Sequence, residues 1–156
     1  MNDKALRSAL TTSLKGKNAH VNLDQALKDL NPDLRNLKPS KDLHTIWEEL
    51  EHIRISQEDI LKYMVDPKWE SPKWPDGYWP DDEVIISDEM WEESINKFKS
   101  DLEEVISLVN NPDVDLTSEI PHASQHTYLR EVLLVIDHNS YHVGQIVETR
   151  KLLANW

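Results

Sequence analysis

Apolar residues recur at helical spacing in four blocks of the chain, and segments that carry proline separate these blocks. Side chains three and four positions apart share one face of an α-helix, so each block predicts a helix with a buried face. No block shows the alternation of apolar and polar residues that is typical of a strand. The pattern predicts an all-α protein, an antiparallel four-helix bundle.

The first block predicts a helix that is broken in two. Its apolar face of Leu6, Leu10 and Leu14 stops at Gly16, a residue type that often ends helices. Asn22 then offers a cap for a short second helix, with Gln25 reaching back to complete a capping box.

The second and third blocks predict long helices joined by a loop rich in Trp and Pro. The second runs from Asp42 to Val65, and the third begins at Ser87, a candidate N-cap. In the loop, Trp69, Trp74 and Trp79 lie among prolines, which predicts a stiff aromatic segment that roofs a pocket or merely covers one end of the bundle. The third helix has an apolar face without titratable residues, so we expect it to pack and to supply no ligand. That face consists of Trp91, Ile95, Phe98, Leu102, Val105 and Val109.

The fourth block, from Thr127 to Ala154, is apolar around most of its circumference and should be the most buried helix. One polar stripe points partly inward. It consists of His138, His142, Gln145 and Thr149.

Length and composition favour one domain, residues 1–156, without a membrane segment. The longest apolar runs are far shorter than the span of about 20 residues that crosses a bilayer. The first residues show no apolar signal-peptide core, so we expect a cytoplasmic location. The formal charge of −12 opposes binding to nucleic acid or anionic lipid. Cysteine is absent, so any thiol chemistry would need an external thiol.

The inward stripe contains a candidate metal half-site. His138 and His142 are four residues apart, which places their β-carbons about 5–6 Å from each other on one helix face. Three imidazoles with open positions would suit catalytic zinc, and nickel or iron(II) would accept the same ligands. The alternative is that both rings are buried polar groups with ordinary hydrogen-bond partners. His52 is the third candidate, but its place on a polar flank of the second helix gives little support by itself.

Several segments are similar to those of the DinB-like superfamily of helical proteins, and the similarity extends across the chain. The two that carry the histidines are LHTIWEELEHIRISQEDIL at 43–61 and DHNSYHVGQIVETRKLL at 137–153. The others are GKNAHVNLDQAL at 16–27, WPDGYWP at 74–80 and TYLREVLL at 127–134.

The resemblance implies an up-down-down-up bundle, often dimeric, that holds a divalent metal ion with three histidines. His52, His138 and His142 fall on those positions. Zinc and nickel are the leading metals, and iron is a further candidate. Better-studied relatives are transferases or isomerases that use low-molecular-weight thiols, and their activity matches no residue that can be identified in this chain.

A general base is the weakest part of this interpretation. Zinc metalloproteases place a Glu directly after the first histidine of their pair, whereas this chain has Asn139 there. Glu48 and Glu49 precede His52 by one turn and Asp59 follows it by two, so a carboxylate there is a candidate for base or for orienting an imidazole. The alternative is a solvated acidic face.

Two hypotheses about function follow. The first is a metal-dependent enzyme that acts on a small molecule by thiol transfer or hydrolysis, since a divalent ion lowers the pKa of a water or thiol ligand to about 7. The second is a non-catalytic metal-binding or dimerising structural or stress protein. In either case, the position of the three histidines beside the apolar faces predicts an ion at the mouth of the bundle, open to solvent.

Overall fold

The protein is mostly helical. A computed structural model describes residues 3–81 and 85–156, and within them four long helices pack together with one short helix. The helices are α1 Asp3–Leu14, α2 Leu23–Leu27, α3 Ile46–Val65, α4 Asp88–Asn110 and α5 Tyr128–Leu152. Two single-turn 3₁₀ helices span Pro32–Leu34 and Asp76–Tyr78. None of the helices in this part of the chain combines the length and the apolar character needed to cross a membrane.

The predicted break in the first helix is confirmed. The chain leaves α1 through Gly16, whose φ of +59° lies in the left-handed region. A β-carbon on Gly16 would lie 2.7 Å from the Cβ of Asn22, so glycine also permits the close return of the chain. Asn22 and Gln25 form the predicted capping box of α2.

The other long helices begin at polar caps. Ser87 caps α4 as predicted, and Thr127 caps α5. The predicted start of α3 at Asp42 is wrong, because Thr45 caps the helix and its first residue is Ile46. Asp42 therefore lies in the preceding segment, exposed to solvent.

The core consists of two apolar clusters, and α3, α4 and α5 contribute to both. In the first cluster, α1 packs against the C-terminal halves of α3 and α4 and the N-terminal half of α5. In the second cluster, α2 packs against the N-terminal halves of α3 and α4 and the C-terminal half of α5. The largest fully buried apolar side chains are Ile46, Leu50, Ile53, Leu61, Met64, Leu116, Ile120 and Ile146. The middle turns of α3 and α5 lie between these clusters. His52, His138 and His142 are in or next to these turns.

The expectation that the chain has no strand is wrong. Strands β1 Glu119–Ile120 and β2 Ala123–Thr127 pair antiparallel just before α5. Each strand is too short for its side-chain alternation to stand out from a loop sequence. Ile120 and Ala123 are buried in the first cluster, so the hairpin closes one end of the helical core.

The buried face of α4 also differs from the prediction, because it includes a titratable residue. Asp101 is only 1% exposed and forms an ion pair with Lys97 across one turn at 2.9 Å. Ser94 is buried too, and its hydroxyl donates to Glu51 of α3. Polar groups therefore line part of the contact between α3 and α4.

Candidate metal centre

The structure brings His52 of α3 together with His138 and His142 of α5. One ring nitrogen from each lies within 4.8 Å of the other two. The Nε2 atoms of His52 and His138 are 3.1 Å apart. His52 and His142 are buried, whereas His138 is half-buried. The expectation of a site open to solvent at the mouth of the bundle is therefore wrong for two of the three rings.

His52 is held in one orientation by the Trp-rich segment. Its Nδ1 lies 2.8 Å from the backbone oxygen of Tyr78. A carbonyl only accepts, so Nδ1 donates and the lone pair of the neutral ring is on Nε2. Trp79 stacks on the ring, with centroids 3.9 Å apart and planes 4° from parallel. Burial lowers the pKa of His52, and the bond to Tyr78 offsets only part of this effect.

His142 is oriented by a carboxylate. Its Nδ1 lies 2.6 Å from Oε2 of Glu49, and both side chains are buried. Because a carboxylate accepts hydrogen bonds, Nδ1 carries the proton and Nε2 has the lone pair. Such a contact fixes the tautomer and raises the basicity of a histidine that binds metal.

His138 has no such support. Burial, together with the smaller effects of the nearby His142 and His52, lowers its pKa to about 4. Its Nδ1 is buried without a hydrogen-bond partner among the described residues. The ring is therefore neutral near pH 7, and its tautomer with the proton on Nδ1 presents a lone pair on Nε2, the nitrogen 3.1 Å from Nε2 of His52.

These donors fit a divalent ion. Tetrahedral coordination at metal–nitrogen distances of about 2.0–2.1 Å separates the nitrogens by about 3.3 Å, close to the separation of the His52 and His138 Nε2 atoms. Neutral imidazoles are ligands for zinc, nickel and iron, so the donor set fits each of these metals. Three nitrogen ligands leave at least one position for another molecule.

Asp59 anchors the Trp-rich segment instead of contacting a histidine. Its two carboxylate oxygens accept hydrogen bonds from Trp69 Nε1 at 2.7 Å and from Tyr78 Oη at 2.6 Å. Burial and the bond to Asp59 raise the pKa of Tyr78 to about 12, so the phenol remains a donor. Asp59 thus fixes the segment whose carbonyl orients His52 and whose Trp79 roofs the cluster.

The interpretation of the WEELE sequence as a solvated acidic face is wrong. Glu48 and Glu49 are only 5% and 4% exposed. Glu48 accepts a hydrogen bond from the backbone N–H of Thr45 and pairs with Lys38, so it caps α3. Glu49 alone of these two candidates contacts a histidine of the cluster.

The four remaining histidines lie away from the cluster or at its edge. His44 stacks on the face of Trp79, with ring centroids 4.0 Å apart. His20 contacts the backbone oxygen of Val21. His122 and His126 contact the backbone oxygen and the hydroxyl of Tyr63, respectively, at the hairpin end of α3.

A polar contact that the sequence did not reveal crosses the core beside the histidines. Asn139 donates to Gln57 at 2.8 Å, and Gln57 donates to the backbone oxygen of Phe98 at the same distance. Gln57 is fully buried, because it lies on the apolar face of α3 one turn after Ile53. These hydrogen bonds tie α5, α3 and α4 together beside the histidine cluster.

The packed helices and the convergent histidines define a helical protein with a three-histidine cluster between two helices. A sequence profile of the DinB superfamily matches residues 17–146. The chain therefore belongs to the DinB superfamily, and the match includes all three histidines. Neither a curated protein nor a solved structure matches the chain.

Proposed function

We propose that the protein is a metal-dependent enzyme that holds one divalent ion with His52, His138 and His142 and acts on a small molecule. The observation that carries the proposal is the convergence of three ring nitrogens within 4.8 Å. The hydrogen bonds to Tyr78 and Glu49 add to it, because they leave lone pairs on the Nε2 atoms of His52 and His142.

The surrounding residues have separate tasks in this proposal. Glu49 holds the proton on Nδ1 of His142, and the Tyr78 carbonyl does the same for His52. Trp79 covers one face of His52 and excludes water from it. A bound divalent ion would lower the pKa of a thiol or water at the site and would polarise a carbonyl, so thiol transfer or hydrolysis is the proposed reaction. The thiol would come from outside, because the chain contains no cysteine.

Metal analysis tests this proposal directly. The protein should be purified without chelators and without nickel resin and then measured by mass spectrometry of its elements. We expect close to one zinc or nickel ion per chain, or iron in their place, and at least about a tenfold loss of metal affinity in His142→Ala. His20→Ala is the matched control, since His20 is an exposed histidine that contacts only the backbone of Val21 among the described residues. Substoichiometric metal in the wild-type protein would contradict the proposal.

One observation favours a second candidate, a non-catalytic metal site. Glu49 is bound to His142 and is the only carboxylate with a hydrogen bond to one of the three rings in the described residues. It is therefore committed to orienting a ligand and is not free to act as a general base. Catalysis would then depend on a base supplied by the substrate or the solvent.

The order and assembly of the helices are further proposals. Contacts between α3 and α4 advance in the same direction along both helices, as in Glu51–Ser94 and Gln57–Phe98. Contacts between α3 and α5 run in opposite directions, as in Glu49–His142 and Gln57–Asn139. These directions support an up-down-down-up bundle. We also propose a single domain over residues 1–156, a homodimer and a cytoplasmic location, as the sequence predicts.

A further inference from the structure

One surface pocket reaches the histidine cluster at His142. It has a volume of about 340 Å³ and lies between α5 and the segment before α3. His142, Glu49 and Trp79 form its inner wall. His142 is only 8% exposed, and its Nε2 has no hydrogen-bond partner within residues 3–81 and 85–156. Because His142 lines this pocket, a molecule bound there lies beside the proposed metal centre.

The outer wall of the pocket is acidic. Asp42 and Glu148 lie there, and no lysine or arginine lines the pocket in the described part of the chain. Asp42 is exposed, and its carboxylate has no hydrogen bond or ion pair among the described residues. Glu148 pairs with Lys151 at 2.8 Å, but both side chains are largely exposed, so solvent screens this pair. The rim therefore repels anions and attracts cations.

The same rim is aromatic and apolar. Tyr141 is 63% exposed, and its ring meets the ring of His142 edge-on at 4.9 Å. Leu43 and Leu152, also exposed, complete this side. Exposed aromatic faces bind ammonium groups through cation–π attraction, which suits a cation with methyl or methylene substituents.

We infer that this pocket selects a small cationic substrate, an amine or quaternary ammonium compound whose other end reaches the histidine cluster. The ammonium group lies between Asp42, Glu148 and the face of Tyr141, and an apolar stem of a few carbons passes along Leu43 and Leu152. This inference rests on the proposed metal centre. It adds the charge and the shape of the substrate, which the three histidines do not specify.

Thiols of different charge test the inference. Cobalt(II) is loaded into the metal-free protein under nitrogen, and thiol binding is followed through the sulfur-to-cobalt absorption band in the near ultraviolet. The probes are thiocholine, its uncharged isostere 3,3-dimethylbutane-1-thiol, and the anion 3-mercaptopropionate. We expect thiocholine to bind about tenfold more tightly than the isostere and 3-mercaptopropionate to bind least, because carboxylates and an aromatic face act together on the cation.

Two double variants separate the pocket from the overall charge of the protein. Asp42→Asn with Glu148→Gln should reduce the preference for thiocholine over its isostere to about twofold, because only the aromatic contact remains. Glu103→Gln with Glu104→Gln removes the same charge from an exposed stretch of α4 and should leave the preference unchanged. Thiocholine has a lower thiol pKa than its isostere, and this difference affects binding equally in every variant. Comparing the ratio of the two affinities between variants therefore removes its contribution.

The outcomes distinguish this inference from the proposed function. If cobalt binds and thiols perturb its spectrum without a charge preference, or if both double variants behave alike, the substrate class is wrong and the metal centre stands. If wild-type protein takes up no more cobalt than His142→Ala, the metal centre fails and the inference fails with it. A preference for thiocholine that only the Asp42 and Glu148 variant loses supports both.

Discussion

At the residue scale, the three histidines differ in what holds the nitrogen that faces away from the cluster. Tyr78 accepts from His52 through a backbone oxygen, and Glu49 accepts from His142 through a carboxylate. His138 Nδ1 has no partner among the described residues. A hydrogen bond to a carboxylate is charge-assisted, so His142 has the strongest of these supports.

Glu49→Gln tests this role. The amide is a weaker acceptor than the carboxylate, so we expect zinc affinity to fall by about 10- to 100-fold in competition titrations with a chromophoric chelator. Glu48→Gln is the control, because this neighbour is equally buried but caps α3. Glutamine also completes a capping box, so zinc affinity should stay within about twofold of wild type. Equal affinity in both variants would show that Glu49 does not tune the site.

The lowered pKa of His138 makes the stability of the metal-free protein depend on pH. The ring takes up a proton at about pH 6.5 in the unfolded chain, whereas the folded pKa is about 4. The unfolded state therefore binds more protons between these values, so the free energy of unfolding rises with pH from 4 to 6.5 and levels off above.

Urea unfolding at several pH values measures this effect. His138→Asn should reduce the slope of the free energy of unfolding against pH between pH 4 and 6.5. The reduction should correspond to less than one bound proton, because solvent screens a ring that is only half-buried. His20→Asn, at an exposed histidine, is the control for loss of an imidazole elsewhere in the chain. An unchanged slope in His138→Asn would mean that other groups control the acid sensitivity.

At the scale of elements, the segment between α3 and α4 is held to the site by Asp59. The backbone N–H groups of Gly77, Tyr78 and Trp79 donate within this segment, to Lys73, Pro75 and Asp76. Hydrogen bonds to a charged group contribute about 1.5–3 kcal/mol each, and Asp59 accepts two. Its removal should therefore free the segment without unfolding the helices.

Hydrogen exchange of Asp59→Ala measures this coupling. We expect the amides of residues 77–79 to exchange about tenfold faster or more, since a loss of 1.4 kcal/mol corresponds to a factor of ten. Asp66→Ala is the control, because among the described residues the Asp66 side chain accepts a hydrogen bond only from the nearby backbone N–H of Lys68. Faster exchange throughout α3 in Asp59→Ala would indicate general destabilisation instead of local release.

The sequence predicted the parts of this architecture that depend on local chemistry. Caps such as Asn22 and Ser87 act within one helical turn, and the spacing of His138 and His142 fixes their common face. The burial of Glu49 could not be predicted in this way, because its partner lies 93 residues away. The hydrogen bond that orients His52 could not be predicted either, because its acceptor is the backbone oxygen of Tyr78 and every residue carries a backbone oxygen. The prediction of His52 as a ligand rested mainly on the family resemblance.

At the scale of the whole molecule, the apolar core does not need the histidine cluster to be complete. Both apolar clusters are closed by side chains from at least four elements each, and the buried Arg7 and Arg150 join distant segments through backbone oxygens. A metal that binds only the folded chain still adds stability by mass action.

Thermal melts with and without a chelator therefore distinguish the catalytic from the structural interpretation of the site. When the free metal concentration is a thousand times the dissociation constant, binding adds about 4 kcal/mol to the free energy of unfolding. For a chain of this size, the Tm then rises by about 8–16 °C. If the ion is catalytic, the chelated protein should melt lower by that amount and keep its helical circular dichroism at 25 °C, because the core remains. A structural ion would carry the folding free energy itself, so chelation at 25 °C would abolish the helical signal. His138→Ala without chelator should melt close to the chelated wild type in the first case, because this ligand can be removed without leaving the buried Glu49 unpaired. This variant separates loss of the ion from any direct effect of the chelator.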